Sequence, residues 1–148
     1  PGILKRLASI GIHSIEQPIK AGTWDEMAKL CRENSLPIAL DEELIGIHNL
    51  DNKRRLLECI RPQYIILKPS LHGGFKGCIE WINLAENLDI SWWITSALES
   101  NIGLNAIAQF TATFKNSLHQ GLGTGALYKE NTPSRLHLSN GFLTYRPD

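Results

Sequence analysis

Three charged residues each close an apolar run. Glu16 ends Ile10–Glu16 (IGIHSIE), Asp41 follows Pro37–Leu40 (PIAL), and Lys68 follows Tyr64–Leu67 (YIIL). Carboxylates at the ends of adjacent parallel strands lie about 5 Å apart at the backbone. That is close enough to share a hard divalent cation such as Mg²⁺, which takes oxygen ligands and keeps several waters. A lysine ending a wholly apolar strand is desolvated and faces those acids, which suits proton transfer or stabilisation of an anion. Plainer roles stay open on residue type alone. The acids can be solvated or can cap the following helix, and Lys68 can serve as a structural partner of Asp41 or Glu42.

The elements that must position these groups alternate along the chain. Trp24, Met27, Ala28 and Cys31 recur at i, i+3, i+4, i+7, one apolar helix face. Thr23 with Glu26 three residues on forms a capping box ahead of it. Asp51–Ile60 is helical in pattern, as are the segments carrying Cys78, Trp81, Ile82, Ala85 and Leu88, and Leu104, Ile107, Ala108 and Thr111. Tyr64–Leu67 is apolar throughout, as expected for a strand covered on both faces. Ile90–Ile94 (ISWWI) is a fourth strand, and Gly121–Gly125 (GLGTG) falls where a fifth should end. Strands alternating with helices in this way imply parallel βαβ units. The tail differs: Leu136–Leu138 and Phe142–Tyr145 flank Ser139-Asn140-Gly141, a hairpin signal.

The polar group closing each strand is Glu16, Asp41, Lys68, Thr95 and then the Gly121 turn, at intervals of 25, 27, 27 and 26 residues. Each unit therefore delivers a polar residue to the carboxyl end of its strand. In a (β/α) barrel that rim carries the catalytic groups. In an open doubly wound sheet only the strand ends at a switch point converge. An acid, an acid and a lysine on consecutive strand ends favour the barrel.

Other candidates carry less. The five histidines (His13, His48, His72, His119, His137) lack metal-ligand spacing and read as surface or loop residues. Gly121-x-Gly123-x-Gly125 has no following βαβ unit, so it reads as a tight loop under a substrate, not a nucleotide site. His72-Gly73-Gly74 precedes a helix and can cradle an anion, although a simple loop explains it better. Trp92 and Trp93 point to opposite faces of their strand and read as packing.

With 148 residues, 43% hydrophobic and 20% charged, the chain is long enough for one core. Fifteen basic residues balance fifteen acidic ones, so no net field draws it to nucleic acid or an anionic membrane. No apolar run nears the roughly 20 residues that span a bilayer, and no signal peptide opens the sequence. Cys31, Cys59 and Cys78 are odd in number and widely spaced, which implies reduced thiols and a cytoplasmic location.

Ile15-Glu16-Gln17-Pro18, Ala39-Leu40-Asp41-Glu42 and Leu67-Lys68-Pro69-Ser70 resemble strands four, five and six of the enolase superfamily barrel. Thr95-Ser96-Ala97-Leu98-Glu99-Ser100-Asn101-Ile102-Gly103-Leu104, with Gly121-Leu122-Gly123-Thr124 beyond it, is similar to the o-succinylbenzoate synthase family within that superfamily. The resemblance implies an α/β chain holding strands four to eight of a parallel (β/α) barrel. Residues 1–134 would form the carboxyl-terminal half of the catalytic domain, and residues 135–148 a hairpin tail returning toward a capping domain. It implies Mg²⁺-dependent syn dehydration of 2-succinyl-6-hydroxy-2,4-cyclohexadiene-1-carboxylate to o-succinylbenzoate, in menaquinone synthesis, through an enediolate. Glu16 and Asp41 would be two of three metal ligands. Lys68 would stabilise the enediolate across from the base, and Thr95, Ser96 and the Gly121 backbone would hold the succinyl end.

The family's Lys-x-Lys on strand two and Asp on strand three have no counterpart in this sequence. On this expectation the chain begins after strand three and does not turn over alone. The exposed edges of a half-barrel need cover, from a second copy or from an upstream segment. Two alternatives stand beside this reading: an N-acylamino acid racemase or dipeptide epimerase on the same framework, and a non-catalytic open α/β binding domain in which Glu16, Asp41 and Lys68 stay apart.

Overall fold

The computed structural model describes residues 2–33 and 35–146. Helix α1 (Gly2–Ala8) precedes strand β1 (Ile15–Glu16), α2 (Trp24–Glu33), β2 (Ile38–Leu40), a 3₁₀ turn (Glu42–Leu44) and α3 (Leu50–Ile60). There follow β3 (Tyr64–Leu67), α4 (Gly74–Asn87), β4 (Ser91–Ile94), α5 (Asn101–Thr111), a 3₁₀ segment (Gly123–Leu127) and the pair β5 (Leu136–Ser139) and β6 (Phe142–Tyr145). The first four strands form one parallel sheet in chain order, and the last two form an antiparallel ribbon. No helix among the described residues is long and apolar enough to cross a membrane.

Side-chain alternation divides the sheet into two faces. Ile38, Leu40, Ile65, Leu67, Trp92 and Ile94 point one way and join a single cluster with Met27, Leu56, Leu57, Ile60, Trp81, Ile82, Leu104 and Ile107 from the helices. Helix α3 begins at Asn49, whose side chain accepts from the backbone N–H groups of Asp51 and Asn52. It ends at Arg61 in the left-handed region, φ 51°. At Thr23 the carbonyl accepts from Met27 N, while the hydroxyl donates to the Lys20 carbonyl.

Two expected strands are shorter than the sequence suggests. Of Ile10–Glu16 only Ile15 and Glu16 pair with β2, and Ile10 stands 72% exposed in a turn that ends at Gly11. The apolar residues before Ile15 have no neighbouring strand among the described residues. The fifth strand is reduced to one parallel bridge between Thr95 and Gly121. A β-carbon on Gly121 would collide with the Thr95 hydroxyl, and the chain turns into the 3₁₀ segment directly afterwards. The hairpin forms as expected, with Asn140 and Gly141 at φ 50° and 79°, the pair of left-handed residues a two-residue turn requires.

Candidate active site

The register staggers the candidate residues. Glu16 pairs with Ala39 and Leu40 with Ile65, so Glu16, Asp41 and Lys68 stand successively two residues further along their strands. A step of two preserves the facing direction, so all three side chains emerge on the face opposite the helices. Leu67 pairs with Ile94, which sets Thr95 level with Lys68 on the same face.

These groups meet. Lys68 Nζ forms an ion pair with Asp41 Oδ2; the Asp41 side chain is 1% exposed and that of Lys68 19%. The other carboxylate oxygen, Asp41 Oδ1, is buried and has no hydrogen-bond partner among the described residues. The Glu16 carboxyl is held above the usual carboxylate range. Partial desolvation of this rim residue, which stays exposed, is the largest cause, followed by the approach of the Asp41 carboxylate and its charge; Lys68 pulls the other way. Among the described residues no group of three or more His, Cys, Asp or Glu side chains could hold a metal. Two carboxylates converge here.

Beside them lies a recess of about 440 Å³, walled by Glu16, Ile66, Lys68, Leu71, Trp93 and the Thr95–Leu98 segment. This volume lies within the usual range for small-molecule sites. Thr95 and Ser96 both line it, but their hydroxyls are engaged internally. Thr95 Oγ1 donates to the Gly121 carbonyl at 2.8 Å, and Ser96 Oγ is hydrogen-bonded to Thr124 Oγ1. Gly121 does not line the recess. Its N–H donates to the Ile94 carbonyl at 2.8 Å, and its own carbonyl also accepts from Ser96 N at 3.1 Å.

Several contributors are not evident in sequence. Trp93 shares the site face and tilts against Tyr64, ring centroids 5.4 Å apart, whereas Trp92 packs into the core edge-on to Phe114. Strand alternation separates the two as expected, but Trp93, expected only to pack, also walls the recess. Leu98 stands at the rim with φ 65°, its carbonyl accepting from the Tyr128 hydroxyl. Glu99 accepts from both Ala97 N and the Ser70 hydroxyl and braces this loop.

His72 lies in the turn after β3, as a loop residue, but not at the surface: it is 1% exposed. Its Nδ1 accepts from the backbone N–H of Lys68 at 3.0 Å, which leaves the ring hydrogen on Nε2, a buried atom without a partner among the described residues. Burial pushes its pKa down to about 4, with the charge of Asp41 opposing and those of Lys68 and Lys53 reinforcing. The imidazole thus holds the turn after β3, where an anion cradle was one expectation.

The family described as enolase C-terminal domain-like matches residues 2–147. An o-succinylbenzoate synthase of Desulfotalea psychrophila is 56% identical over 143 residues, 97% of this chain and 39% of that protein. An N-succinylamino acid racemase of Thermus thermophilus is 35% identical over 100 residues, 68% of this chain and 26% of that one. The crystal structure of MenC from Desulfotalea psychrophila superposes with a TM-score of 0.93 at 56% identity, covering 97% of this chain and 40% of that chain. The chain therefore spans about 39% of the length of this curated relative. With the parallel sheet, the staggered strand ends and a match from end to end, the chain belongs to the enolase C-terminal domain-like family.

Proposed function

We propose that this chain forms part of an o-succinylbenzoate synthase active site, contributing strands four to eight of a (β/α) barrel, the last as a single bridge. Residues 1–134 would belong to the catalytic domain and 135–148 to a tail facing a capping domain, with residues 147 and 148 outside the described part. The observation that carries this reading is the convergence of Glu16, Asp41 and Lys68 on one face, in a chain 56% identical to a synthase.

In the proposed reaction a base takes the proton α to the substrate carboxylate and the C–H electron pair is left on an enediolate. Collapse of that dianion forms the new ring double bond and breaks the bond to the departing hydroxyl, which takes the proton back from the protonated base and leaves as water. Lys68, held in the recess by Asp41, offers an ammonium to the enediolate oxygens as their charge develops. Trp93, Leu71 and Leu98 exclude water beside it and pack the substrate ring. Glu16 and Asp41 supply hard anionic oxygens, and the buried, unpartnered Asp41 Oδ1 is the atom an oxygen-seeking cation would satisfy. They fit Mg²⁺, which when bound would offset the charge accumulating on the carboxylate. Its third ligand, and the base, would come from residues beyond this sequence, so the 148 residues alone should bind Mg²⁺ weakly and not turn over.

The test is Lys68→Ala in the intact protein. Near-complete loss of dehydration with unchanged circular dichroism is the expected result; undiminished turnover would overturn the assignment. Assaying N-succinylamino acids alongside distinguishes the racemase reading, which the 35% identical relative supports. In a racemase Lys68 would act as the acid–base group on one face.

A further inference from the structure

We infer that Gln17 is a positioning residue for the Glu16–Asp41 pair, one side-chain amide setting how the two carboxylates stand to each other. The inference rests on the metal reading above and extends it to a residue that touches no metal.

Gln17 directly follows Glu16. Its backbone N–H continues the ladder to the Ala39 carbonyl at 2.9 Å, and the chain then leaves the extended region, with φ 36° at Gln17. A left-handed backbone at a non-glycine residue is strained and persists where its surroundings hold it. Here the surroundings are the residue's own side chain, folded over the end of β2. Oε1 accepts from Asp41 N at 3.2 Å and from Glu43 N at 3.3 Å. Nε2 donates to the Ile19 carbonyl at 3.0 Å and to Glu43 Oε2 at 3.2 Å. A primary amide has two donors and two acceptor lone pairs, and all four are used.

The network continues one step outward. Glu43 is 4% exposed, and its second oxygen accepts from Gly22 N at 2.7 Å, which ties in the loop leading to α2. Asp41 is thus fixed twice: its backbone by the Gln17 amide and Oδ2 by Lys68. Those two restraints determine where the unpartnered Oδ1 points, and Glu16 hangs from the residue that supplies one of them. An apolar side chain at position 17 would leave the N–H groups of Asp41 and Glu43 unpaired. A carboxylate there would face that of Glu43.

The test is Mg²⁺ titration by calorimetry, without substrate, on the intact protein, alongside thermal melts. Gln17→Met should weaken Mg²⁺ by about tenfold or more, as loss of an outer partner does, and saturating Mg²⁺ should recover much of kcat. A merely structural role would lower the melting temperature and leave the affinity of the folded protein within about twofold; that result overturns the inference. Should Gln17→Met not fold, Q17E and Q17E/E43Q decide. Q17E should bind Mg²⁺ weakly through carboxylate repulsion, and the double variant, with an amide restored opposite a carboxylate, should bind more tightly. Equal affinities for these two overturn the inference. Glu16→Gln is the control: if it leaves Mg²⁺ affinity unchanged, the metal reading itself fails.

Discussion

Lys68 and Asp41 are paired across neighbouring strand ends with the carboxylate almost wholly buried and the ammonium partly open to the recess. The asymmetry matters. Asp41 depends on its partners for its charge to be tolerated, whereas Lys68 has a route to solvent.

Asp41→Asn should therefore impair function far more than stability. Releasing Lys68 costs about 1 kcal/mol or less, because the ammonium can turn to water. Loss of the anionic oxygens should reduce dehydration by about a hundredfold or more. The same change removes the Asp41 charge, one of the causes that raise the Glu16 pKa. Carboxyl carbon shifts followed against pH in the metal-free protein should show Glu16 titrating lower in Asp41→Asn than in the parent. An unchanged midpoint would mean that the two carboxylates do not interact.

His72 gives the protein an acid-side dependence. Its folded pKa of about 4 lies below the ordinary 6.5, so between those values the unfolded chain binds more protons. The contribution is complete above 6.5 and falls away as pH drops toward 4. It is worth up to about 3 kcal/mol at 1.36 kcal/mol per unit. His72→Asn retains an acceptor for the Lys68 N–H without the titration. Urea unfolding at several pH values should then show a shallower acid decline in the variant; parallel curves would count against it.

Gly77 and Gly141 are glycines for different reasons, and alanine separates them. A β-carbon at Gly77 would run into the His72 carbonyl, where α4 packs on the turn carrying His72. Gly141 has open space around it and only its φ of 79° to object. Gly77→Ala should cost about 3 kcal/mol or more, because the obstacle is backbone. Gly141→Ala should cost about 1 kcal/mol. Thermal melts of the two would rank them, and similar losses would contradict the packing argument.

What was legible in the sequence follows burial. The runs at Pro37–Leu40 and Tyr64–Leu67 and the helix faces of α2 to α5 are strongly patterned because one face of the parallel sheet packs on the helices in a single core, while Ala39 and Ile66 on the other face are buried as well. The rim residues were legible because a charge after an apolar strand can lie only at its end. At the margins the pattern fades. Helix α1 buries only Leu4, so it carries no distinct stripe, and β1 keeps two residues because only two have a partner. Side chains that substitute for backbone were invisible. Gln63 Oε1 accepts from Ile38 N and Gln120 Oε1 from Ile94 N, and no periodicity encodes such contacts. Gln17 and His72 belong to the same class, polar residues whose partners are set by the tertiary approach of loops.

Lys53 extends that lesson to the core. It lies on the buried side of α3, 1% exposed, donating to Glu80 Oε2 at 2.9 Å and the Gly77 carbonyl at 3.1 Å, 5.3 Å above the Trp81 ring. The ammonium holds Glu80 below the usual carboxylate range, chiefly by its hydrogen bond. Glu80, with 30% of its side chain exposed, keeps most of its hydration, so the buried partner bears the risk. Glu80→Gln should destabilise the protein by about 1–3 kcal/mol, because it strands a buried cation. Lys53→Met removes that cation, keeps the stem's packing and returns Glu80 to water, and should cost distinctly less than Glu80→Gln. Denaturant midpoints at neutral pH would test the order. If Lys53→Met proves the more damaging, the pair is a net source of stability, and the lysine is retained for the energy of its contacts with Glu80, Gly77 and Trp81.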